Sequence, residues 1–197
     1  MGAEITDKIV GYHYTNQKNY KSIQTEGIDN FITPGFDNFK GLIPRKRFIR
    51  YGEGNKLPRE AYRGIVEGLF EPEPQSWIKN PKFPQLWNCL MGDICREREV
   101  ILLSFELKKD DKAYVVERAH VERELYREFK GQKKSTTRTK NKALKKYWDS
   151  RVPVFEYDGS YSVPQLAIWS GIEFDRLKVE WVKSSDEVLD RVIKNNW

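Results

Sequence analysis

The chain has 197 residues, 35 of them Lys or Arg and 29 Asp or Glu, for a formal net charge of +6. This length sets one domain as the expectation and suffices for a sizeable core, and 39% hydrophobic with 13% aromatic residues argues against wholesale disorder. No apolar run approaches the roughly 18 residues that cross a bilayer, the first residues lack the pattern of a signal peptide, and the two cysteines, Cys89 and Cys95, give no disulfide framework and fit a reducing, cytoplasmic setting.

In chain order, KIVGYHYT (Lys8–Thr15) reads as a first strand. Asn16–Glu26 reads as a helix, with Thr15 or Asn16 as N-cap and Gly27 just past its end. Asp29–Lys56 is punctuated by Pro and Gly and reads as a long irregular segment. Leu57, Ala61, Ile65 and Leu69 recur every four residues, which predicts a helix opening at Pro58. EPEPQSW (Glu71–Trp77) is a stiff connector, and Leu86, Leu90 and Ile94 predict a short helix carrying Trp87.

The clearest strand is VILLSFEL (Val100–Leu107), apolar enough to be buried on both faces. A strand at Ala113–Val116 and a helix through Val121, Leu125 and Phe129 follow. Strands are then expected at Val152–Tyr157, Ser162–Trp169 and Leu177–Val182, and a last helix to about Asn195, opened by the capping-box pair Ser184 and Glu187. The whole predicts a single α+β domain over residues 1–197, with its sheet mostly in the second half.

Between these elements, Lys130–Lys146 holds eight Lys or Arg and no acid. Set against the total of +6, the rest of the chain carries −2, so the basic character belongs to this one segment. It is expected as a loop whose Lys133, Lys134, Arg138, Lys140 and Lys142 contact nucleic acid, with Tyr147 and Trp148 directly behind. Arg45, Arg47 and Arg50 are a second basic group, suited to a pyrophosphate or a nucleic-acid backbone because guanidinium forks bind phosphate bidentately.

Several chemistries lack their residues. Two histidines, His13 and His120, and two cysteines make no zinc-ligand spacing, so no metal is expected. Neither a P-loop, a dinucleotide-binding glycine pattern after a strand, nor a G-x-S-x-G elbow is present.

What remains is GYHYTNQKNYKSIQTEGI, one histidine on the first strand between two tyrosines, with a helix immediately behind. H-Y-T followed by N-Y-K-S-I-x-x-E-G-I resembles the ADP-ribosyltransferase fold. The resemblance is to its diphtheria-toxin-like branch with a His-Tyr-Glu triad, which includes DNA-targeting ADP-ribosyltransferase toxins. The tRNA 2′-phosphotransferases share that fold and a similar opening. A second, weaker likeness is YSVPQLAIW (Tyr161–Trp169), which looks like the late strand carrying the third triad residue; together the two stretches cover about 25 residues.

The resemblance implies a split mixed β-sheet with flanking helices and an enzyme that transfers ADP-ribose from NAD to a macromolecule; the basic run favours nucleic acid over protein as that acceptor. His13 would hydrogen-bond a ribose hydroxyl, the Tyr14 backbone would grip the nicotinamide amide, and Thr15 would support them. Tyr51 and Tyr62 are candidates to stack on the nicotinamide ring. Gln165 would stand third, where the family carries Glu. A neutral amide loses the electrostatic stabilisation of the oxocarbenium-like transition state, worth about 3 kcal/mol or roughly a hundredfold in rate. The enzyme would then be slow, or another acid such as Glu156 or Glu173 would serve. Otherwise the fold would be a binding module for nucleotides or nucleic acid. An RNA 2′-phosphotransferase-like reaction is the further alternative.

Overall fold

The computed structural model describes residues 8–28, 66–123 and 137–194. Strand β1 (Val10–Asn16) runs directly into helix α1 (Gln17–Glu26), because Asn16 caps the helix: its side-chain oxygen accepts the Asn19 N–H at 3.0 Å. Gly27 ends the helix at φ 73°, its N–H donating to the Ile23 carbonyl at 2.8 Å. Ile28 then turns back and pairs with Ile172.

Further on come β2 (Val66–Gly68), α2 (Gln75–Ile78), α3 (Leu86–Ile94), β3 (Glu99–Glu106) and β4 (Ala113–Glu117). Residues 119–123 are helical. Then follow α4 (Thr137–Asp149), β5 (Val152–Pro153), β6 (Pro164–Ile168), β7 (Lys178–Ser184) and α5 (Ser185–Lys194), with 3₁₀ turns at Val154–Glu156 and Phe174–Arg176. Ser184 caps α5 as expected, accepting the Glu187 N–H at 3.1 Å.

The strands form two antiparallel sheets, β1-β3-β7 and β2-β6-β4-β5. Among the described residues, their strands are joined by backbone pairing at one point. Tyr12 and Leu69 exchange both backbone hydrogen bonds, at 2.8 and 2.9 Å, and beyond that pair β1 stays with β3 while β2 turns to β6.

Central strand β3 serves two cores. Val100 and Leu102 face Tyr14, Trp77, Trp87 and Met91 under α3 and α5. Ile101, Leu103 and Phe105 face Ile23 of α1 and Val66, Val115, Leu166 and Ile168 of the second sheet. Alternate side chains of one strand thus enter opposite cores, which is why VILLSF carries no polar alternation. One feature of the first sheet is glycine-dependent: a Cβ on Gly11 would lie 2.5 Å from the Phe105 ring and 2.8 Å from Leu166, so β1 approaches the second sheet this closely only without a side chain there.

Four expectations are corrected. The sheets are antiparallel rather than mixed, and β3 is buried on both faces as the centre of a three-stranded antiparallel sheet. The helix ending at Leu69 does not extend over 66–69: Val66–Gly68 is a strand, because pairing with β6 satisfies its backbone and buries Val66, while the helix's earlier part lies outside the described residues. The loop at 130–146 is helical from Thr137 onward, anchored by buried Tyr147 and Trp148. The strand at Val152–Tyr157 keeps only two paired residues before Pro153 and the 3₁₀ turn end it. Asp29–Lys56 and the segment through Leu125 and Phe129 also lie outside the described residues.

Candidate functional site

The candidate site lies where the two sheets part. His13 sits one residue past the Tyr12–Leu69 joint, paired with Leu103, and its ring reaches across the opening gap to β2. Its Nδ1 lies 2.9 Å from the Glu67 carbonyl oxygen. A carbonyl only accepts, so Nδ1 carries the proton and donates, and Nε2 is left as an acceptor. Burial lowers the His13 pKa, opposed by this hydrogen bond and by the Glu67 carboxylate, so the ring is neutral at pH 7.

Tyr14 follows on the other face. Its hydroxyl donates to the Pro72 carbonyl at 2.6 Å and its ring meets Trp87 and Trp181 edge-on, each at 5.7 Å. Burial, with Glu73 adding to it, raises its pKa well above the usual phenol value. The Tyr14 backbone matters more. Tyr12 turns its N–H and C=O away from β3 toward Leu69. In an antiparallel ladder the residue two further on turns the same way, so the Tyr14 N–H and C=O point into the gap that β2 has left. Thr15 is buried beside them on the His13 face.

Glu67 links His13 to the second sheet. Its side chain shares a sheet face with Gln165, since Glu67 pairs with Ala167, two residues along β6. Between them lies Arg118, just past β4. Arg118 Nη1 is 3.3 Å from Glu67 Oε1 and 3.3 Å from Gln165 Oε1, and its Nε donates to Glu122 Oε1 at 2.6 Å. Tyr147 of α4 donates to the same Gln165 oxygen at 3.0 Å. A continuous chain of polar contacts therefore runs from His13 through Glu67 and Arg118 to Gln165 and Tyr147.

The electrostatics follow from burial. Removal from water disfavours the Arg118 charge, but the Glu122 and Glu67 carboxylates outweigh that and hold its pKa above the ordinary value. Burial likewise raises Tyr147, which stays a phenol and a donor. Gln165 is 1% exposed, and with two donors on its oxygen its amide orientation is determined. Its Nε2 is buried with no hydrogen-bond partner among the described residues.

Of the residues expected at the site, His13, Tyr14, Thr15 and Gln165 belong to this region. Tyr51, Tyr62, Arg45, Arg47 and Arg50 lie outside the described residues. Glu156 and Glu173 are exposed, at the two 3₁₀ turns, and have no bond to the cluster. Lys133 and Lys134 lie outside the described residues, Arg138 and Lys140 stand on α4 without described side chains, and Lys142 is exposed. Sequence reasoning missed Glu67, Arg118, Glu122 and Tyr147. The only signal for them was an Arg four residues before a Glu (Arg118, Glu122) after a strand, a pattern too common to single out. A separate small cleft lies on the other face, lined by Tyr14, Trp87, Trp181 and the Glu73–Arg191 ion pair.

No family model matches this chain, and no similarity to a curated protein or a solved structure was found.

Proposed function

We propose that the chain is an NAD-dependent ADP-ribosyltransferase acting on a macromolecule, with nucleic acid favoured as acceptor. The observation that carries this reading is the parting of the two sheets at His13, with the Tyr14 backbone turned into the gap. A neutral imidazole whose Nδ1–H is held by Glu67 offers Nε2 to a ribose hydroxyl. One residue on, a backbone N–H and C=O on an open strand edge match the acceptor and donor of a carboxamide. The split α+β architecture expected from the resemblance to ADP-ribosyltransferases is compatible with two antiparallel sheets joined at a single residue pair.

In the reaction, the bond between the nicotinamide nitrogen and ribose C1′ breaks and its electron pair stays on the nitrogen. The acceptor's nucleophile bonds C1′ and gives up its proton. The chain's own groups bind the carboxamide, orient the ribose and keep the centre dry. The basic exposed residues Lys142, Lys145 and Lys146 of α4 support a polyanionic acceptor.

Incubation with labelled NAD tests the reading: wild type releases nicotinamide and His13→Ala releases at least tenfold less. Tight NAD binding without release, even with cell extract as acceptor, favours the binding module instead.

A further inference from the structure

The reading above leaves a chemical gap, because an amide stands where a carboxylate would stabilise the cationic transition state. We propose that Glu67 supplies that carboxylate from β2, taking the part that Gln165 cannot take from β6. This rests on the NAD reading and deepens it.

The placement comes first. Glu67 and Gln165 stand on the same face of neighbouring strands and are bound by the same guanidinium nitrogen, each at 3.3 Å. Moving the carboxylate from one to the other crosses a single Arg118 nitrogen. The charge balance comes second. Among the described residues, one guanidinium faces two carboxylates while His13 is neutral, so these groups together carry a surplus negative charge. Glu122 is the closer partner, at 2.6 Å, and Glu67 the looser one. Glu67 also keeps more of its side chain open, 20% against 11% for Glu122. The surplus therefore belongs to the looser and more exposed carboxylate, Glu67. A fixed negative charge in a poorly solvated site attracts a cation developing beside it, at no reorganisation cost.

The third observation is the orphan amide. Gln165 Nε2 is fully buried without a partner while its oxygen is doubly held. A buried donor is costly to leave unsatisfied, and a ribose hydroxyl admitted to the cluster would satisfy it. The two parts of the usual carboxylate are thereby divided: Gln165 orients the hydroxyl and Glu67 carries the charge. The same Glu67 holds His13 through its carbonyl, so one residue of β2 couples both ends of the site. In the reaction, C1′ becomes cationic as the nicotinamide leaves with the bonding pair. Glu67 faces that cation without bonding to it, and water or the acceptor then adds at C1′ and loses a proton to solvent.

The test uses the full chain, with NAD as substrate and water as acceptor, and reads nicotinamide release. Glu67→Gln lowers kcat about a hundredfold, with KM for NAD within threefold of wild type. Gln165→Glu alone changes kcat less than tenfold, because a carboxylate is already present. The double variant Glu67→Gln/Gln165→Glu recovers to within tenfold of wild type, a non-additivity that a merely structural role for Glu67 would not produce. Wild-type turnover in Glu67→Gln overturns the inference and leaves the NAD reading standing, as does a double variant that recovers nothing. A wild type that releases no nicotinamide with water or with cell extract as acceptor sinks the NAD reading and this inference with it. Should Glu67→Gln fail to melt cooperatively, Gln165→Glu decides alone: a hundredfold rise means that no carboxylate was in place and overturns the proposal, and a change under tenfold upholds it.

Discussion

At the residue scale, His13 and Arg118 make opposite demands on their surroundings. His13 is held neutral, and in the unfolded chain it titrates near 6.5. Because burial lowers that value in the fold, the unfolded chain takes up the proton first as pH falls. The stability that His13 contributes is complete above about 6.5 and is lost as pH drops through the lowered folded value. Thermal melts between pH 8 and 5 therefore fall less steeply for His13→Asn than for wild type, and equal slopes would contradict the placement. Arg118 is held charged, with two carboxylates depending on it. Arg118→Met leaves both uncompensated and costs about 3–5 kcal/mol in urea unfolding. Tyr147→Phe removes one neutral hydrogen bond and costs about 1 kcal/mol. Only part of this was legible: His13 and Gln165 stand in patterned segments, whereas Glu67 and Arg118 acquire meaning through partners 51 residues apart in sequence.

At the element scale, the strands with the strongest pattern are those that the fold uses hardest. The apolar run of β3 announced burial on both faces, and its alternate residues divide between two cores. Strand β2 announced nothing. Three residues, Val-Glu-Gly, are too few to show a period, and the four-residue spacing that ends at Leu69 pointed to helix; pairing with β6 makes 66–68 a strand. Helix α4 was concealed by its own charge, since a basic run without acids reads as a solvated segment until Tyr147 and Trp148 are seen to be buried. The junction between the sheets depends on close approach at β1. Gly11→Ala pushes a methyl group into Phe105 and Leu166 and costs about 1–3 kcal/mol, measurable as a lowered unfolding midpoint. An unchanged midpoint would mean that the sheets separate there without penalty.

At the scale of the molecule, a body near neutrality carries one strongly basic segment, part of it on α4. Lys142, Lys145 and Lys146 lie along one exposed stripe of that helix, and Lys145 is paired with Asp149. If this stripe holds single-stranded nucleic acid, reversing the three to Glu lowers the slope of log affinity against log salt by about two. The cooperative melt stays within a few degrees of wild type, because none of the three is buried. An unchanged slope removes the stripe from the acceptor site. If the native state alone binds NAD, as proposed, NAD raises the melting temperature. A titration without any shift argues against NAD binding at His13. Among the described residues, no helix is long and apolar enough to cross a membrane.

By itself the sequence determined what depends on near neighbours. It set the capped helix after β1, the glycine at its end, the doubly buried β3, the capping pair of α5 and the concentration of charge in one segment. Each is decided by contacts a few residues apart or by the solvation of a contiguous run. The tertiary structure alone decided which strands pair, where the two sheets separate, and that Glu67 and Gln165 meet on one guanidinium. Those outcomes balance backbone pairing and buried charge between distant segments, and no local period in the sequence encodes that balance.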